Sequence, residues 1–341
     1  MRKKILIIGG AGFIGHNLAI FLKKKKLDVT IVDGLNINNL EYLKKKYNEF
    51  PNPSLTKKIL LNRLKLLKKS NIKFFKIDAR NYKSLSKIIN RSKAEIIIHL
   101  AAVSHANKSN KDPFNTFDHS FRTLENSLDN ARSEKNNVKK FIFLSSSMVY
   151  GNFLTSSVNE NTRCYPIGIY GSLKYAAEKL IIAYNQVFKL PFVIIRPSAL
   201  YGERCISRRV GQIFIENALT SKPIEINGDG NEKLDFTYIS DLVHGISECC
   251  TNKNAVNQTF NLTFGNSRTI KDLIKILQKE FPNISVNYKP KEKFMPERGT
   301  LNINKAKKLI GYNPSKPIEV GYIEYINWYK DFWSRLQSKH K

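Results

Sequence analysis

Short apolar runs and longer amphipathic stretches alternate along the first 197 residues of the chain. Six of the runs are rich in Ile, Val and Phe and are continuous rather than alternating, which is typical of strands covered on both faces of a parallel sheet. These runs are 4–9, 28–33, 72–77, 95–102, 140–146 and 191–197. The stretches between them, such as 113–135 and 170–189, are long enough for crossover helices. The pattern predicts an α/β fold with a doubly wound parallel sheet.

The rhythm changes after about residue 197. Shorter strand-like and helix-like segments follow, with more Gly, Pro and Asn, as in 226–241 and 261–274. We predict a first domain at 1–197 and a smaller α/β lobe at 198–341 that interleaves with it and covers the carboxyl edge of the sheet. Residues 36–71 form an unusually long, Lys-rich stretch between the second and third strands, for which we predict helix.

Composition sets the class of protein. A chain of 341 residues with 42% apolar positions can bury a large α/β core. The first apolar run has four residues and no later run reaches about 18, so we expect neither a signal peptide nor a membrane helix. The cysteines show no metal-ligand spacing and are interpreted as reduced thiols of a cytoplasmic protein without a metal site. They are Cys164, Cys205, Cys249 and Cys250.

The net charge of +29 invites a nucleic-acid interpretation. The lysines, however, are spread along the whole chain, and no zinc-finger, basic-zipper or RNA-binding signature accompanies them. We therefore expect no specific nucleic-acid partner. A positive field still favours anionic small molecules such as nucleotides.

The first strand leads into the glycine-rich segment GGAGFIG at 9–15. Gly9 allows a tight turn, Gly12 lets the backbone approach a pyrophosphate, and Gly15 lets helix and strand pack closely, as in a Rossmann-type dinucleotide site. Asp33 ends the second strand, where a carboxylate accepts hydrogen bonds from ribose hydroxyls and repels a 2′-phosphate. The segment predicts NAD as cofactor, and the alternative is a glycine-rich strand–helix turn that binds nothing.

Further candidates for the cofactor lie in the glycine loop and after the third and fourth strands, at the edge where dinucleotides bind. They are Phe13, Ile14, Asp78, Ala79, Leu100, Ala101 and Ala102. Asp78 either reaches the adenine amino group or caps a helix at 80–91. His99 ends a strand and is interpreted as structural. His105, in the loop after the fourth strand, is a candidate for the substrate pocket.

The segment YGSLK places Tyr170 and Lys174 four residues apart, on one face of a predicted helix. A phenol with a pKa of about 10 is a poor base at neutral pH, but a nearby ammonium and the nicotinamide cation stabilise its phenolate. Tyr170 can then take a proton from a substrate hydroxyl while a hydride leaves the same carbon. The alternative is a tyrosine that serves only for packing. The glycine loop upstream favours the chemical interpretation.

Seven motifs extend this pattern through nearly the whole chain. They are GGAGFIG at 9–15, HLAAVSHANKS at 99–109, SSSMVYG at 145–151, YGSLKYAAEK at 170–179, RPSALYGE at 196–203, GDGNEKLDFTYISDLV at 228–243 and KAKKLIGYNP at 305–314. In combination they resemble the extended short-chain dehydrogenase/reductases that act on nucleotide sugars. The resemblance implies NAD, the catalytic residues Tyr170 and Lys174, a nucleotide-sugar substrate, and a homodimer formed by two helices from each subunit, for which 113–135 and 170–189 are the candidates.

The resemblance also assigns roles around the serine-rich segment. The family's catalytic Ser or Thr stands three positions before the Val of VYG, which is Ser146 here. In the family's 4,6-dehydratases an Asp-Glu pair fills the two positions between, and decarboxylases keep the Glu. This chain has Ser147 and Met148 there, both assigned to the substrate pocket, and methionine cannot accept a proton. The resemblance therefore implies a 4-epimerase that works through a transient 4-keto sugar. The alternative is an NAD(P)-dependent nucleotide-sugar oxidoreductase, or another nucleotide-sugar-modifying enzyme of the family that is not a 4,6-dehydratase.

On the substrate side, Arg298 matches a family position that can pair with the diphosphate. The alternative is a solvated charge in a loop. Two positions depart from the family pattern, since Leu234 stands where an Arg is frequent and Ala199 where an Asn is usual. The arginines at 204, 208 and 209 either compensate for these losses or are surface charges. The segment 36–71 is similar to an insert in epimerases of UDP-uronic acids, so the implied substrate is a UDP-hexose or a UDP-uronate.

Overall fold

The computed structural model describes residues 2–50, 52–104, 106–291 and 295–337, and its largest element is a parallel sheet. The strands are β1 (Lys4–Ile8), β2 (Asp28–Val32), β3 (Lys73–Phe75), β4 (Ile96–His99), β5 (Lys140–Leu144), β6 (Ser157–Val158), β7 (Phe192–Arg196), β8 (Leu200–Tyr201), β9 (Ile224–Asn227), β10 (Lys233–Leu234), β11 (Thr237–Tyr238), β12 (Gln258–Asn261), β13 (Arg268–Thr269), β14 (Val286–Lys289) and β15 (Thr300–Leu301). The main sheet has the order β12-β7-β5-β4-β1-β2-β3. The predicted doubly wound α/β fold is confirmed, as are all six predicted strands.

Helices cover both faces of this sheet. They are α1 (Phe13–Lys24), α2 (Leu40–Lys45), α3 (Pro53–Lys69), α4 (Tyr82–Ser92), α5 (Ala106–Lys111), α6 (Pro113–Phe117), α7 (Thr123–Arg132), α8 (Gly168–Phe188), α9 (Val210–Leu219), α10 (Ile239–Thr251), α11 (Ile270–Glu280), α12 (Asn304–Ile310) and α13 (Ile318–Gln337). Within the described ranges, none of them has a stretch long and apolar enough to cross a bilayer.

The strand β1 explains why the apolar runs are continuous. Ile5 and Ile7 pack into a core with α1, α3 and α10, whereas Leu6 and Ile8 pack into a second core with α4, α7 and α8. Successive side chains of a strand point to opposite faces, so a strand covered on both sides needs apolar residues at every position.

The strand order reverses between β1 and β4. From β1 the chain builds outward through β2 and β3, and β4, β5 and β7 then extend the sheet in the other direction. The carboxyl ends of β1 and β4 therefore diverge into a crevice, which is where ligands bind in open α/β sheets.

The helix predictions are confirmed in outline. The stretch 113–135 forms α6, a π-helical turn at Asp118–Arg122 and α7, and the stretch 170–189 forms most of α8. Residues 36–71 contain α2, a three-ten turn at Tyr47–Glu49 and α3, whose first turn contains Pro53, a residue suited to a helix start.

The part of the chain after β7 builds smaller sheets beside the main one. β9 pairs in parallel with β14, and β10 pairs antiparallel with β13. β12 returns to the edge of the main sheet, where it pairs with β7, and α10 packs against α1. β12 thus brings the second part of the chain into the main sheet, while the division into domains at residue 197 stays a prediction.

Candidate active site

The glycine loop leaves the start of α1 open. Gly9 has a φ of +87°, and its N–H donates to Val32 O at 2.8 Å. α1 begins with Gly12 as its N-cap, and no side chain caps it. A Cβ at Gly15 would lie 2.4 Å from Gly9 O, so only glycine permits this approach of helix to strand. The first N–H groups of α1 are therefore available to an anion such as a pyrophosphate.

Asp33 ties the end of β2 to this loop. Its Oδ2 accepts a hydrogen bond from Ala11 N at 2.9 Å, and its Oδ1 accepts one from Leu35 N at 2.7 Å. Burial raises the pKa of Asp33, and the two backbone hydrogen bonds offset part of that rise. A carboxylate has about four lone-pair sites, so two remain for ribose hydroxyls.

Asp78 lies in the same crevice and does not cap a helix. Asn81 caps α4 instead, because its side chain accepts from Ser84 N at 2.9 Å, so the interpretation of Asp78 as a cap for 80–91 is wrong. Asp78 accepts from Arg80 Nη2 at 2.6 Å and from Asn36 Nδ2 at 2.9 Å. Burial would raise the pKa of Asp78, but the bonds and charge of Arg80 outweigh burial and hold that pKa below its ordinary value.

One cavity, called here the cofactor cavity, brings most of the predicted cofactor residues together. Those that line it are Gly9, Gly12, Phe13, Ile14, Gly15, Asp33, Asp78, Ala79, Leu100, Ala101 and Ala102. The same cavity is lined by Arg209, which the sequence offered only as a substrate-side cation, and by residues that sequence reasoning missed, among them Asn36, Arg63 and Ser207. Ser207 and Arg209 come from the loop that precedes α9.

The three predicted catalytic residues lie in an adjoining cavity of about 480 Å³, called here the substrate cavity. Ser146 caps the three-ten turn Ser147–Tyr150, and its hydroxyl lies beside the Tyr170 phenol. Tyr170 and Lys174 are buried on one face of α8. Ile14, Leu100 and Ala102 also line the cofactor cavity, so the two cavities share a wall.

Charge and burial act in opposite directions on the catalytic pair. Burial raises the pKa of Tyr170, while the positive charge of Arg209 and the Ser146 hydroxyl lower it. Burial lowers the pKa of Lys174 to about 8, and the Glu178 carboxylate opposes that change. The Lys174 ammonium donates to Leu144 O at 2.6 Å, which anchors it to the end of β5.

Glu178 and Arg196 form a buried ion pair next to Tyr170 and Lys174, and sequence reasoning missed it. Glu178 accepts from Arg196 Nη2 at 2.6 Å and from the Ser145 hydroxyl at 2.5 Å. The Ser145 hydroxyl is therefore engaged with α8, although Ser145 also lines the substrate cavity. The spacing of Tyr170, Lys174 and Glu178 at every fourth position was the signal in the sequence, since it places all three on one stripe of the helix.

The structure describes His99, one of the two histidines considered in the sequence, but not His105. His99 is buried between the rings of Phe141 and Phe143, and its Nδ1 lies 3.2 Å from Ser127 Oγ. Burial lowers the pKa of His99 to about 3, so a neutral, structural histidine is what the contacts support. His105 lies outside the described residues.

The substrate cavity is also lined by the other predicted substrate residues. Ser147 and Met148 are buried in its wall. Arg298 lines it and is partly buried rather than solvated, and burial, with a smaller effect of the Arg209 charge, lowers its pKa to about 10. Leu234 and Ala199, the two positions that differ from the family pattern, line the same cavity.

The three arginines that precede α9 divide into two groups. Arg208 and Arg209 line the substrate cavity, and Arg209 Nη2 donates to Ser104 O at 3.1 Å. Arg204 instead pairs with Glu203 at 2.6 Å and lies over the ring of Trp328. Arg208 and Arg209 thus bring two further positive charges to the cavity that contains Tyr170 and Arg298.

Comparison with known proteins gives the context of this site. A family model described as the NAD dependent epimerase/dehydratase family matches residues 5–263. The crystal structure of UDP-glucuronic acid 4-epimerase from Bacillus cereus, in complex with UDP-glucuronic acid and NAD, superposes with a TM-score of 0.86. It is 26% identical, and the match covers 96% of this chain and 99% of that one.

Two sequence relatives represent different activities. The UDP-glucuronate 4-epimerase of Thermodesulfobacterium geofontis is 29% identical over 96% of each chain. The dTDP-D-glucose 4,6-dehydratase of Dictyostelium discoideum is 30% identical over 83% of this chain and 62% of that protein. Relatives of similar identity therefore carry out different reactions.

The cofactor follows from the loop geometry and the comparisons together. The uncapped start of α1 fits a pyrophosphate, and Asp33 fits the hydroxyls of an adenosine ribose. The related Bacillus cereus structure holds NAD. The cofactor is NAD, and the chain belongs to the NAD dependent epimerase/dehydratase family.

Proposed function

We propose that the protein is an NAD-dependent 4-epimerase of a nucleotide-linked sugar, with a UDP-hexose or a UDP-uronate as its substrate. The observation that carries the proposal is the content of the substrate cavity. Ser146, Tyr170 and Lys174 line it, whereas the position before Val149 is the apolar Met148. Among the described lining residues the one carboxylate is Glu225, which lies on β9 and pairs with Lys289 at 2.8 Å. A buried acid–base group for dehydration or decarboxylation is therefore lacking in the part of the cavity that the structure describes.

The chemistry needs a base at the sugar O4. Tyr170, as its phenolate, takes the O4 proton, and Ser146 donates a hydrogen bond to the oxygen that becomes the ketone. The charge of Arg209 favours the phenolate, and we assign the same effect to the Lys174 ammonium one helical turn away. NAD, held at the glycine loop and Asp33, would supply a reversible hydride acceptor for the sugar C4.

Return of the hydride to the opposite face of C4 requires the 4-keto sugar to turn within the cavity. Small or flexible side chains, Met148, Ala199 and Leu234, line the cavity and leave room for that turn. Tyr170 then returns its proton to O4. No net oxidation or reduction results, so the cofactor stays bound through the cycle.

The diphosphate needs cationic partners, and we assign Arg298 to it. Arg guanidinium groups suit phosphate because they donate two parallel hydrogen bonds. Arg209 replaces part of the positive charge toward the diphosphate that is lost because Leu234 stands where the family often has an arginine. The relatives named for UDP-glucuronate support a uronate, and the three arginines of the cavity favour an anionic substrate.

We also propose that the enzyme is a homodimer formed through α6 and α8. Phe114 is 82% exposed and Val187 is 68% exposed on these helices, and Phe117 and Phe188 are exposed as well. The start of α8 bonds to α5, which leads into α6, whereas the end of α8 lies beside Arg132 at the end of α7, so the exposed side chains stand at both ends of the helix pair. Large exposed apolar side chains along such a face are suited to a protein contact. Packing of these helices against a second copy would cover them.

Incubation of the purified protein with a panel of UDP-, GDP-, CDP- and dTDP-sugars, including UDP-glucuronate, without added cofactor tests the activity. NMR identifies the products, and absorbance follows NADH. A 4-epimer without net NADH is the expected result and names the substrate. A 4-keto product, stoichiometric NADH, or turnover that depends on added NAD(P) would replace the proposal with a nucleotide-sugar oxidoreductase.

A further inference from the structure

Arg63 on α3 is a buried cation without a carboxylate partner among the described residues. It is 1% exposed, and its Nε and Nη2 both donate to the backbone oxygen of Arg204, Nε at 3.0 Å. Burial lowers the pKa of Arg63 to about 10. A buried charge normally requires a counter-ion, because its loss of hydration is costly.

No carboxylate forms an ion pair with Arg63 among the described residues. Asp33 acts on its charge from a distance, and the Asp33 oxygens bond to Ala11 N and Leu35 N instead. His16 is fully buried, and burial together with the charges of Arg63 and Arg204 lowers its pKa well below the ordinary value. The local environment is therefore positive.

Arg63 lies in the wall of the cofactor cavity, together with Gly12, Gly15 and Asp33. Its guanidinium has five N–H donors, of which two are used on Arg204 O. An anion bound in this cavity would neutralise the charge and accept from the remaining donors. The diphosphate of NAD brings such an anion to the start of α1.

The carbonyl that Arg63 holds belongs to the segment 202–211, called here the arginine loop. Arg204 has a φ of +65° and Arg208 one of +56°, so this loop needs external contacts to hold its shape. From α13, the hydroxyl of Tyr322 donates to Gly211 O at 3.0 Å. The loop carries Arg208 and Arg209 into the substrate cavity.

We propose that Arg63 binds the diphosphate of NAD and thereby couples occupancy of the cofactor cavity to the position of the arginine loop. A bound cofactor removes the electrostatic cost of holding Arg63 in the interior. The guanidinium then fixes Arg204 O, and with it the two arginines that face the substrate. The coupling to substrate rests on the proposed function, whereas the contact with the cofactor does not.

The first test is the affinity for ADP-ribose, measured by calorimetry on protein freed of bound nucleotide. Arg63→Met removes a charge-assisted hydrogen bond, so we expect roughly 10- to 100-fold weaker binding. Lys65→Met, an exposed position two residues along the same helix, serves as the matched control and should bind as the wild type does. Equal affinity of the Arg63→Met and wild-type proteins would overturn the contact.

The second test is amide hydrogen exchange of the peptide 202–211 with and without ADP-ribose. We expect ADP-ribose to slow the exchange several-fold in the wild type and to have little effect in Arg63→Met. Equal slowing in both proteins would overturn the coupling. If Arg63→Met does not fold, Arg63→Lys replaces it, and an arginine loop in the wild type that ADP-ribose leaves unprotected would overturn the coupling without any variant.

Neither measurement uses turnover. A protein that binds ADP-ribose through Arg63 and protects the arginine loop, yet converts no nucleotide sugar, would refute the proposed function and leave this inference standing. An active epimerase whose Arg63→Met variant binds ADP-ribose normally would support the proposed function and refute this inference.

Discussion

Lys174 and Glu178 lie one turn apart on α8, both buried, and the Glu178 carboxylate raises the pKa of a lysine whose burial lowers it to about 8. Glu178 also holds the end of β5 through the Ser145 hydroxyl at 2.5 Å and pairs with Arg196 at 2.6 Å. One carboxylate thus links the charge of the catalytic lysine to the segment after β5 that contains Ser146.

Glu178→Gln should move the alkaline limb of the kcat–pH profile to lower pH. The Lys174 ammonium is the active form, and activity is lost as pH rises through its pKa of about 8. Removal of the carboxylate takes away the group that raises this pKa, so the limb moves down. Ser145→Ala keeps the charge of Glu178 and should leave the limb in place.

Glu178→Gln should also destabilise the folded protein, because the Glu178–Arg196 ion pair is lost. Glu178→Gln leaves Arg196 buried without its counter-ion, and breaking a buried pair in this way costs about 3–5 kcal/mol. The pH profile is therefore recorded well below the Tm of the variant. An alkaline limb that stays unchanged in Glu178→Gln would show that Glu178 does not set the charge of Lys174.

Tyr170→Phe should lower kcat by about 10²–10⁴-fold, the usual contribution of a positioned general base. The phenyl ring fills the same space, so ADP-ribose affinity and Tm should stay close to the wild-type values. Retention of more than a tenth of the wild-type rate would mean that another group removes the O4 proton.

Arg298→Met should raise KM for the nucleotide sugar by about 10- to 100-fold, because a charge-assisted contact with the diphosphate is lost. The value of kcat should change only a few-fold, since Arg298 is assigned to binding and not to proton transfer. Arg268→Met removes an arginine that pairs with Glu319 at 2.8 Å outside the cavity, and it serves as the control. Equal KM values for the two variants would exclude Arg298 from the diphosphate site.

Phe114→Asp should convert a dimer to a monomer at micromolar concentration, as measured by light scattering after gel filtration. A charge at an 82% exposed position does not disturb the fold, but it disfavours an apolar contact between helices. Leu154→Asp, at a 95% exposed loop position, should leave the dimer intact. A wild-type protein that elutes as a monomer would refute the dimer.

Asp235 should make the protein less stable at pH 7 than at pH 4. It is fully buried, and burial raises its pKa to about 6, although Thr263 Oγ1 and Leu301 N donate to it at 3.0 Å. Between the unfolded and folded pKa values the folded state binds the extra proton, so the free energy of unfolding falls as pH rises through this window. A shift of about two units corresponds to about 2–3 kcal/mol.

Asp235→Asn removes this titration. The free energy of unfolding of the variant, measured by urea denaturation, should depend less on pH between about 4 and 6 than that of the wild type. Parallel curves for the two proteins over this range would show that Asp235 keeps an ordinary pKa in the folded state.

Local patterns in the sequence determined much of the fold and of the candidate site. Continuous apolar runs identified the six strands because side-chain direction alternates along every strand. The glycine loop, Asp33 and the Tyr170–Lys174 pair each depend on residues that are close in sequence, or on the turn of one helix. Of the two roles left open for Asp78, the helix cap is excluded because Asn81 stands nearer to the first turn of α4 and accepts its N–H.

Only the tertiary structure decided which distant charges meet. Arg63 contacts Arg204 across 141 positions, and Arg209 contacts Ser104 across 105. Arg196 joins Glu178 because α8 packs against β7. Hydrophobic periodicity carries no information on such pairs, since a buried arginine looks like any surface cation in a lysine-rich sequence. The sequence by itself determined the sheet, the NAD loop and the catalytic helix. Tertiary packing decided which cations are buried away from water and which face the ligands.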